Sequence, residues 1–244
     1  MKIGGIHPIE EALAEGRSIE KVFIARDQDS PAWQALSNRL RQAGVPVKRV
    51  PRVKLDRMFK GHHQGVVAVI SPLSYIPLEK MVARAFARHP RPAFLLADGI
   101  TDTRNLGALI RSAAAFAFDG IILPASGSAS LSAEGTKTSA GALFKIPVSR
   151  VAHLLDAVYY LQSEGVEVVA ATEKTSQLLE DYTFRRPVAV VLGNEHKGIQ
   201  PSVLKTADTA LKINISPRMD SLNVSVAGAI FMYEINRQLD LTSQ

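Results

Sequence analysis

The 244-residue chain contains no cysteine. That excludes disulfides, thiolate metal sites and cysteine nucleophiles, and it fits a cytoplasmic protein. No run of about 18 uncharged apolar residues is present, so no membrane span is expected. The opening MKIGGIHPIEEALAEG has no long apolar stretch and carries acids early, which speaks against a secretory signal. Neither a GxxxxGK(S/T) phosphate loop nor a GxGxxG fingerprint follows any strand-like run. The six histidines show no metal-ligand spacing. His62-His63 reads as a loop element, and His196 beside Glu195 does not make a metal site, so no metal is expected. There is no internal repeat and no low-complexity tract.

What is there is apolar and unevenly charged. At 46% hydrophobic and 21% charged residues, the chain can bury a sizeable core, as one large domain or two smaller ones. The net charge of +6 is concentrated early. Residues 1–72 hold 12 Lys/Arg against 7 Asp/Glu, residues 73–92 hold 4 against 1, and residues 93–244 hold 13 against 15. Lys48, Arg49, Arg52, Lys54, Arg57 and Lys60 crowd into one short segment. A positive lobe beside a nearly neutral one suggests a polyanion partner. A solvated basic face explains the same charges equally well.

Residues 1–72 alternate short helices and strands. A helix opened by Pro8 and closed by Gly16 is followed by a strand at 22–25. An amphipathic helix at 31–43 has Pro31 first and Gly44 after it. A strand at 45–50, a helix at 52–59 and a buried strand at 65–70 complete the unit. Pro72, Pro77, Pro90 and Pro92, with the charge shift, mark residues 73–92 as a linker, although 78–89 reads as helical. Beyond it, apolar strands are expected at 94–98, 120–124, 144–148, 166–172, 188–193 and 210–215. Helices are expected from 104, near 130–140, over 150–163 and over 221–238. Such nearly continuous apolar strands indicate an α/β fold with a parallel sheet covered on both faces.

Ligands of open parallel sheets collect at the carboxyl ends of the strands, and three ends here are unusual. The first is DGITDTRNLGALIR, where the i, i+4 spacing puts Gly107 and Arg111 on one helix face and Asn105 in the first turn. Its plainer reading is an exposed helix arginine and a capping asparagine. The second is VAVVLGNEHKGI, where Gly193 and Gly198 permit a tight loop with close backbone approach. Its plainer reading is an ordinary strand–helix loop. The third is DSLNVSVAGAI, where Asp220 or Ser221 would be a good N-cap. Asn223 and Ser225 then stay unexplained by capping, since both residue types cost helix propensity.

The three segments, in this order, resemble the three motifs of the SpoU (TrmH-type) class of the SPOUT superfamily. The motifs are carried by Asn105-x-Gly107-x-x-x-Arg111, by Leu192-Gly193-Asn194-Glu195-x-x-Gly198, and by Ser221-Leu222-Asn223-Val224-Ser225. The stretches GIHPIEEAL (5–13) and HHQGVVA (62–68) resemble the L30e-like substrate domain of the bacterial members that act on large-subunit rRNA. One departure stands out: the usual Ile-Pro-Met-x-Gly approach to the third motif is replaced by Ile213-Asn214-Ile215-Ser216-Pro217.

The resemblance implies an L30e-like domain over 1–72 and a knotted domain over 93–244, an α/β knot of the trefoil type working as a homodimer with its site near the interface. It implies S-adenosylmethionine as cofactor, held at Leu192, Gly193, Asn194, Gly198, Ile213, Ile215 and Leu222. It gives Arg111 the central catalytic role, with Asn105, Glu195, Ser221 and Asn223 in support. It places RNA on Lys48, Arg49, Arg52, Lys54, Arg57 and Lys60. The implied activity is ribose 2′-O-methylation of RNA, with a guanosine in the peptidyl-transferase region of 23S rRNA as the target. The alternatives are a tRNA ribose methyltransferase, an rRNA methyltransferase conferring antibiotic resistance, and a non-catalytic rRNA-binding assembly factor. Arginine is a poor base by its ordinary chemistry, so whether Arg111 takes the proton or stabilises charge is open at this point.

Overall fold

The computed structural model describes residues 2–15, 17–70, 75–129 and 145–241. The chain divides into two units, one ending at Ser74 and the other beginning at Tyr75.

The first unit carries a four-stranded sheet of β1 (Lys2–Gly4), β2 (Ile19–Ala25), β3 (Val47–Val50) and β4 (Val66–Ile70), in the order β1-β4-β2-β3. Its helices are α1 (Ile6–Ala14), α2 (Pro31–Gln42) and α3 (Arg52–Met58). The three-residue β1 was not expected, because so short a strand leaves no alternation to read. Gly5, at φ +101°, turns the chain from β1 into α1. Ser30 caps α2 by accepting the Trp33 N–H at 3.3 Å. The core joins Ile9, Val22, Ile24, Trp33, Leu36, Leu40, Val66 and Ala68. A second contact fixes α3. His63, buried, accepts the Gly65 N–H on Nδ1 at 3.0 Å. Its Nε2 is then the donor to Asp56 Oδ1 of α3, at 2.9 Å.

The second unit is built on six parallel strands: β5 (Ala93–Ala97), β6 (Gly120–Pro124), β7 (Val148–Val151), β8 (Glu167–Ala171), β9 (Val188–Leu192) and β10 (Thr209–Leu211). Their order is β10-β8-β9-β5-β6-β7. The chain steps outward from β5 to β6 and β7, then continues on the other side of β5, so the order reverses at the β5–β9 pair. A reversal of this kind is where such sheets open a crevice. The helices are α4 (Leu78–Phe86), α5 (Thr103–Ala115), α6 (Leu154–Ser163), α7 (Pro201–Thr206) and α8 (Val224–Leu239). Leu78, Met81 and Val82 of α4, Leu154, Val158 and Leu161 of α6 and Val203 of α7 share one core with Phe94, Leu96, Ile122, Val168 and Val191 of the strands. Elsewhere α5 packs along α8, with Leu109 and Leu192 closing over Gly228 so tightly that a Cβ there would lie 2.4 and 2.5 Å from them.

Some bounds differ from the sequence reading. Residues 73–92, expected as a linker, contain α4, whose apolar face is buried in the second core. β7 begins at Val148, where a strand over 144–148 was expected, and β10 stops at Leu211. α8 begins at Val224, three residues later than expected. The helix expected near 130–140 falls outside the described residues. The β8–β9 connection is gripped twice. The chain leaving β10 bonds it through Leu179 N–H to Lys212 O and Lys212 N–H to Gln177 O, at 2.8 and 3.0 Å. The far end of α8 bonds it through Gln238, which accepts the Phe184 N–H at 2.8 Å and donates to Tyr182 O at 2.9 Å. Among the described residues, no helix is long and apolar enough to cross a membrane.

Candidate active site

The ends of β8 and β9 and the segment entering α8 enclose a cleft of about 580 Å³. That is within the usual range for small-molecule sites. Leu192, Ile213, Ile215 and Leu222 supply apolar walls, and Gly193, Asn194, Glu195, Gly198, Ser221 and Asn223 line it too. Every residue expected to hold a cofactor therefore faces one cavity. The loop after β9 is stiff. Asn194 and Gly198 exchange backbone hydrogen bonds at 3.0 and 2.9 Å. Gly198, at φ +70°, closes that turn. Asn194 Oδ1 accepts the N–H groups of His196 and Lys197 at 2.9 and 3.0 Å. At Gly193 a Cβ would lie 2.2 Å from the backbone of Gly198 and Ile199, so no larger residue fits.

The polar side chains of the three strand ends form one chain of hydrogen bonds, and its direction is fixed from one end. Asn223 is the N-cap of α8: its Oδ1 accepts from Ser225 N–H at 2.9 Å and Ser225 Oγ at 2.6 Å. The cap is therefore Asn223 and not Asp220 or Ser221, because the helix starts at Val224. With its oxygen committed, Asn223 must donate through Nδ2, and it does so to Asn105 Oδ1 at 3.2 Å. Asn105 must then donate in turn, to Glu195 Oε1 at 2.9 Å. Asn194 Nδ2 reaches Gly99 O at 2.8 Å and Glu195 Oε2 at 3.4 Å. The sequence segments around 105, 194 and 223 thus meet at a single carboxylate, with Glu195 as terminal acceptor.

Two expected residues stand apart from this network. Ser221 lines the cleft and is exposed. Arg111 is exposed on α5, does not line the cleft, and has no hydrogen bond or ion pair among the described residues. The helical repeat explains the separation. Six residues from Asn105, Arg111 lies about 120° around the helix, on the stripe it shares with Arg104 seven residues before it. Arg104 itself is engaged with Asp102, the N-cap of α5, at 3.0 Å. That contact holds the Asp102 carboxyl below the usual carboxylate range. Gly107, on the same α5, is buried.

The sequence reading missed the wall formed at the end of β8 by Ala171, Thr172, Glu173 and Lys174. It also missed Ala227 and Phe231, which α8 contributes from its inner face. The hydrophobicity of β8 runs on into Thr172, so nothing in that stretch marked a site. In the first unit, Lys48 and Arg49 on β3, Arg52, Lys54 and Arg57 on α3, and Lys60 just after it are all exposed. Arg49 donates to Arg26 O at 3.0 Å, and Arg52 lies 3.5 Å from Asp27 with both side chains more than half exposed. Pairs that exposed contribute little, so the six cations stay available to a polyanion. Among the described residues no group of acidic or histidine side chains could hold a metal ion.

Two family models match this chain. "SpoU rRNA Methylase family" covers residues 92–233, and "RNA 2′-O ribose methyltransferase substrate binding" covers residues 2–76. A Bacillus subtilis protein, YacO, assigned to the TrmH family of tRNA/rRNA methyltransferases, is 31% identical over 96% of this chain and 94% of its own length. An uncharacterised tRNA/rRNA methyltransferase of Mycobacterium leprae is 35% identical over 96% of this chain and 76% of its own. Among solved structures, an AdoMet-bound rRNA methyltransferase from Sinorhizobium meliloti aligns with a TM-score of 0.62 at 26% identity, covering 98% of this chain and 87% of that one. The SpoU methyltransferase AviRb from Streptomyces viridochromogenes, at 24% identity and a TM-score of 0.62, shares the fold. With a site assembled from three strand ends of one parallel sheet and both family models matched along its length, the chain belongs to the SpoU rRNA methylase family and is an RNA 2′-O-ribose methyltransferase.

Proposed function

We propose that this enzyme transfers the methyl group of S-adenosylmethionine to the 2′-oxygen of a guanosine in the peptidyl-transferase region of 23S rRNA, in the cytoplasm and as a homodimer. The observation that carries the chemistry is the Asn223–Asn105–Glu195 chain beside an apolar-walled cleft. The cleft suits the cofactor: Leu192, Ile213, Ile215 and Leu222 offer apolar surface to an adenosyl group, and the missing side chain at Gly193 lets the Gly198–Ile199 backbone fold in close and complete the wall. The departure over Asn214–Pro217 leaves Ile213, before it, and Ile215, within it, on the wall.

When bound, S-adenosylmethionine supplies a methyl already activated on a sulfonium sulfur. The chain's own residues must bring the ribose oxygen in line and draw off its proton. Asn223, set by its cap contacts, orients Asn105, and Asn105 holds the Glu195 carboxylate, so all three meet the substrate preset. Ser221, exposed at the rim, offers a hydroxyl to the ribose. Arg111 contributes charge at the reacting oxygen or at a neighbouring phosphate.

A single chain leaves Arg111 outside the cleft, and that favours a site completed in a dimer. Val226, Ile230 and Tyr233 are 49%, 36% and 54% exposed, a stripe along α8 beside α5. Tyr233 packs edge-on against Phe116 at the end of α5. A second copy would cover that stripe. Ile230→Glu is expected to convert the dimer to a monomer at micromolar concentration in sedimentation velocity. An unchanged dimer would place the interface elsewhere. The same proposal includes a knot, with support from the β8–β9 connection, which bonds the chain leaving β10 at Gln177–Leu179 and the far end of α8 at Tyr182–Phe184, as a loop around a threaded segment would.

The substrate reading rests on the first unit, which matches a substrate-binding domain of RNA 2′-O ribose methyltransferases and bears the basic β3–α3 segment. Replacing Lys48, Arg49 and Arg52 together by Glu should weaken rRNA binding by about tenfold or more and flatten its salt dependence. Cofactor affinity by calorimetry should stay unchanged. Equal loss of both would refute the division of labour. No binding heat with S-adenosylmethionine for the parent would favour a non-catalytic assembly factor. Mapping 2′-O-methyl groups in rRNA and tRNA of a deletion strain tests the target itself, with a missing tRNA methyl pointing to the other substrate.

A further inference from the structure

We infer that Asp98 and Gln200 are a pair of positioning residues that set the cofactor loop on the α5 side of the site, an inference that rests on the proposed use of S-adenosylmethionine. Asp98 follows β5 directly and extends its ladder, donating its N–H to Leu192 O at 2.8 Å. Its side chain is almost wholly inaccessible, with 1% of the residue exposed. An unpaired carboxylate in that place would be costly. Both of its oxygens are answered by one residue. Asp98 Oδ2 accepts the Gln200 backbone N–H at 2.7 Å, and Oδ1 accepts Gln200 Nε2 at 2.6 Å.

The two residues lie 102 positions apart, and neither lines the cleft. What they do is anchor a loop. Gln200 closes the segment Gly193–Ile199, every residue of which lines the cleft. At the opposite end of that segment, Asn194 Nδ2 holds Gly99 O, the residue beside Asp98, at 2.8 Å. The loop is thus tied at its start and its end to two consecutive residues of the β5–α5 junction. The same junction leads into Asn105, which bonds Glu195 in the middle of the loop. Three ties make the polar network and the cofactor wall one rigid piece. Fixed positions of this kind are what a reaction depending on alignment requires.

The pair can be tested by exchanging its chemistry. Gln200→Glu puts two carboxylates in contact and should raise the dissociation constant for S-adenosylmethionine about tenfold at pH 8. The penalty should shrink toward pH 6, where the two acids can share a proton. Asp98→Asn combined with Gln200→Glu restores a donor on one side and acceptors on the other: the introduced amide takes the backbone N–H on its oxygen and gives from its nitrogen to the new carboxylate. That double variant should return cofactor affinity to within about threefold of the parent, which shows that the two side chains act as a pair. Turnover at saturating cofactor should change less than affinity in every variant. Unaltered affinity in Gln200→Glu, or no recovery in the double variant, overturns the inference. If Gln200→Glu fails to fold, Gln200→Ala keeps the backbone bond and loses the amide. Its affinity should then fall about threefold, and no change would again overturn the pair. A parent protein that binds no S-adenosylmethionine would instead refute the proposed function.

Discussion

Arg111→Ala is expected to lower turnover by about a thousandfold while leaving the dissociation constant for S-adenosylmethionine within twofold. The expected split between turnover and cofactor affinity follows from geometry. Arg111 does not line the cleft and bonds to none of the residues that do, so its loss should not disturb the cofactor wall. It is also exposed on α5, so truncation leaves no cavity and no orphaned partner among the described residues. A loss of activity would therefore report on chemistry and not on folding. Adding guanidine to the Arg111→Ala enzyme then separates two roles. The cation is the dominant form at every working pH, whereas the neutral form rises tenfold per pH unit. We expect the rescued rate, relative to the parent's own pH profile, to be flat from pH 7 to 10. That outcome makes Arg111 a charge stabiliser at the ribose oxygen or a phosphate. A rescued rate rising tenfold per unit would assign the proton to it. Near-parental turnover without rescue would remove Arg111 from the mechanism.

How much of this was visible in the chain depends on the range of the interaction. The three polar strand ends stood out because each breaks an apolar pattern locally, and all three meet in space. The α/β class and the parallel sheet followed from strands such as Ala93–Ala97 and Val188–Leu192, apolar throughout because both faces are covered. What pattern could not show is partnership. The Asp98–Gln200 pair spans 102 residues, and an acid after a strand says nothing about what answers it. The N-cap was misplaced for a related reason. Asp220, Ser221 and Asn223 are about equally good caps by type, so cap preference could not choose among them, and Asn223 wins since its amide serves the cap and the site together. Proline punctuation at 72–92 suggested a linker, whereas Pro77 stands at the start of α4 as a helix-opening residue.

That double service of Asn223 leads to the second large effect. Asn223→Asp should leave the melting temperature unchanged or slightly raised and lower turnover about a hundredfold. An aspartate caps as well as an asparagine, and its charge suits the positive end of α8. It cannot donate. Its second oxygen would face Asn105 Oδ1, now 3.2 Å from an amide nitrogen. Asn105 can relieve that clash by turning its amide over, but then its oxygen faces Glu195 Oε1 and the break moves one bond along. Wherever the network relaxes, one hydrogen bond of the three-residue chain is lost, and Glu195 or Asn223 is left misoriented. Asn223→Ala makes the comparison. It loses the cap as well, at a cost of about 1 kcal/mol, so its melting temperature should fall by about 2–4 °C. Matched activity losses in the two variants, with a stability loss in the alanine form alone, would separate the two duties of one side chain. Full activity in Asn223→Asp would reduce Asn223 to a helix cap and leave Glu195 to act through Asn105 alone.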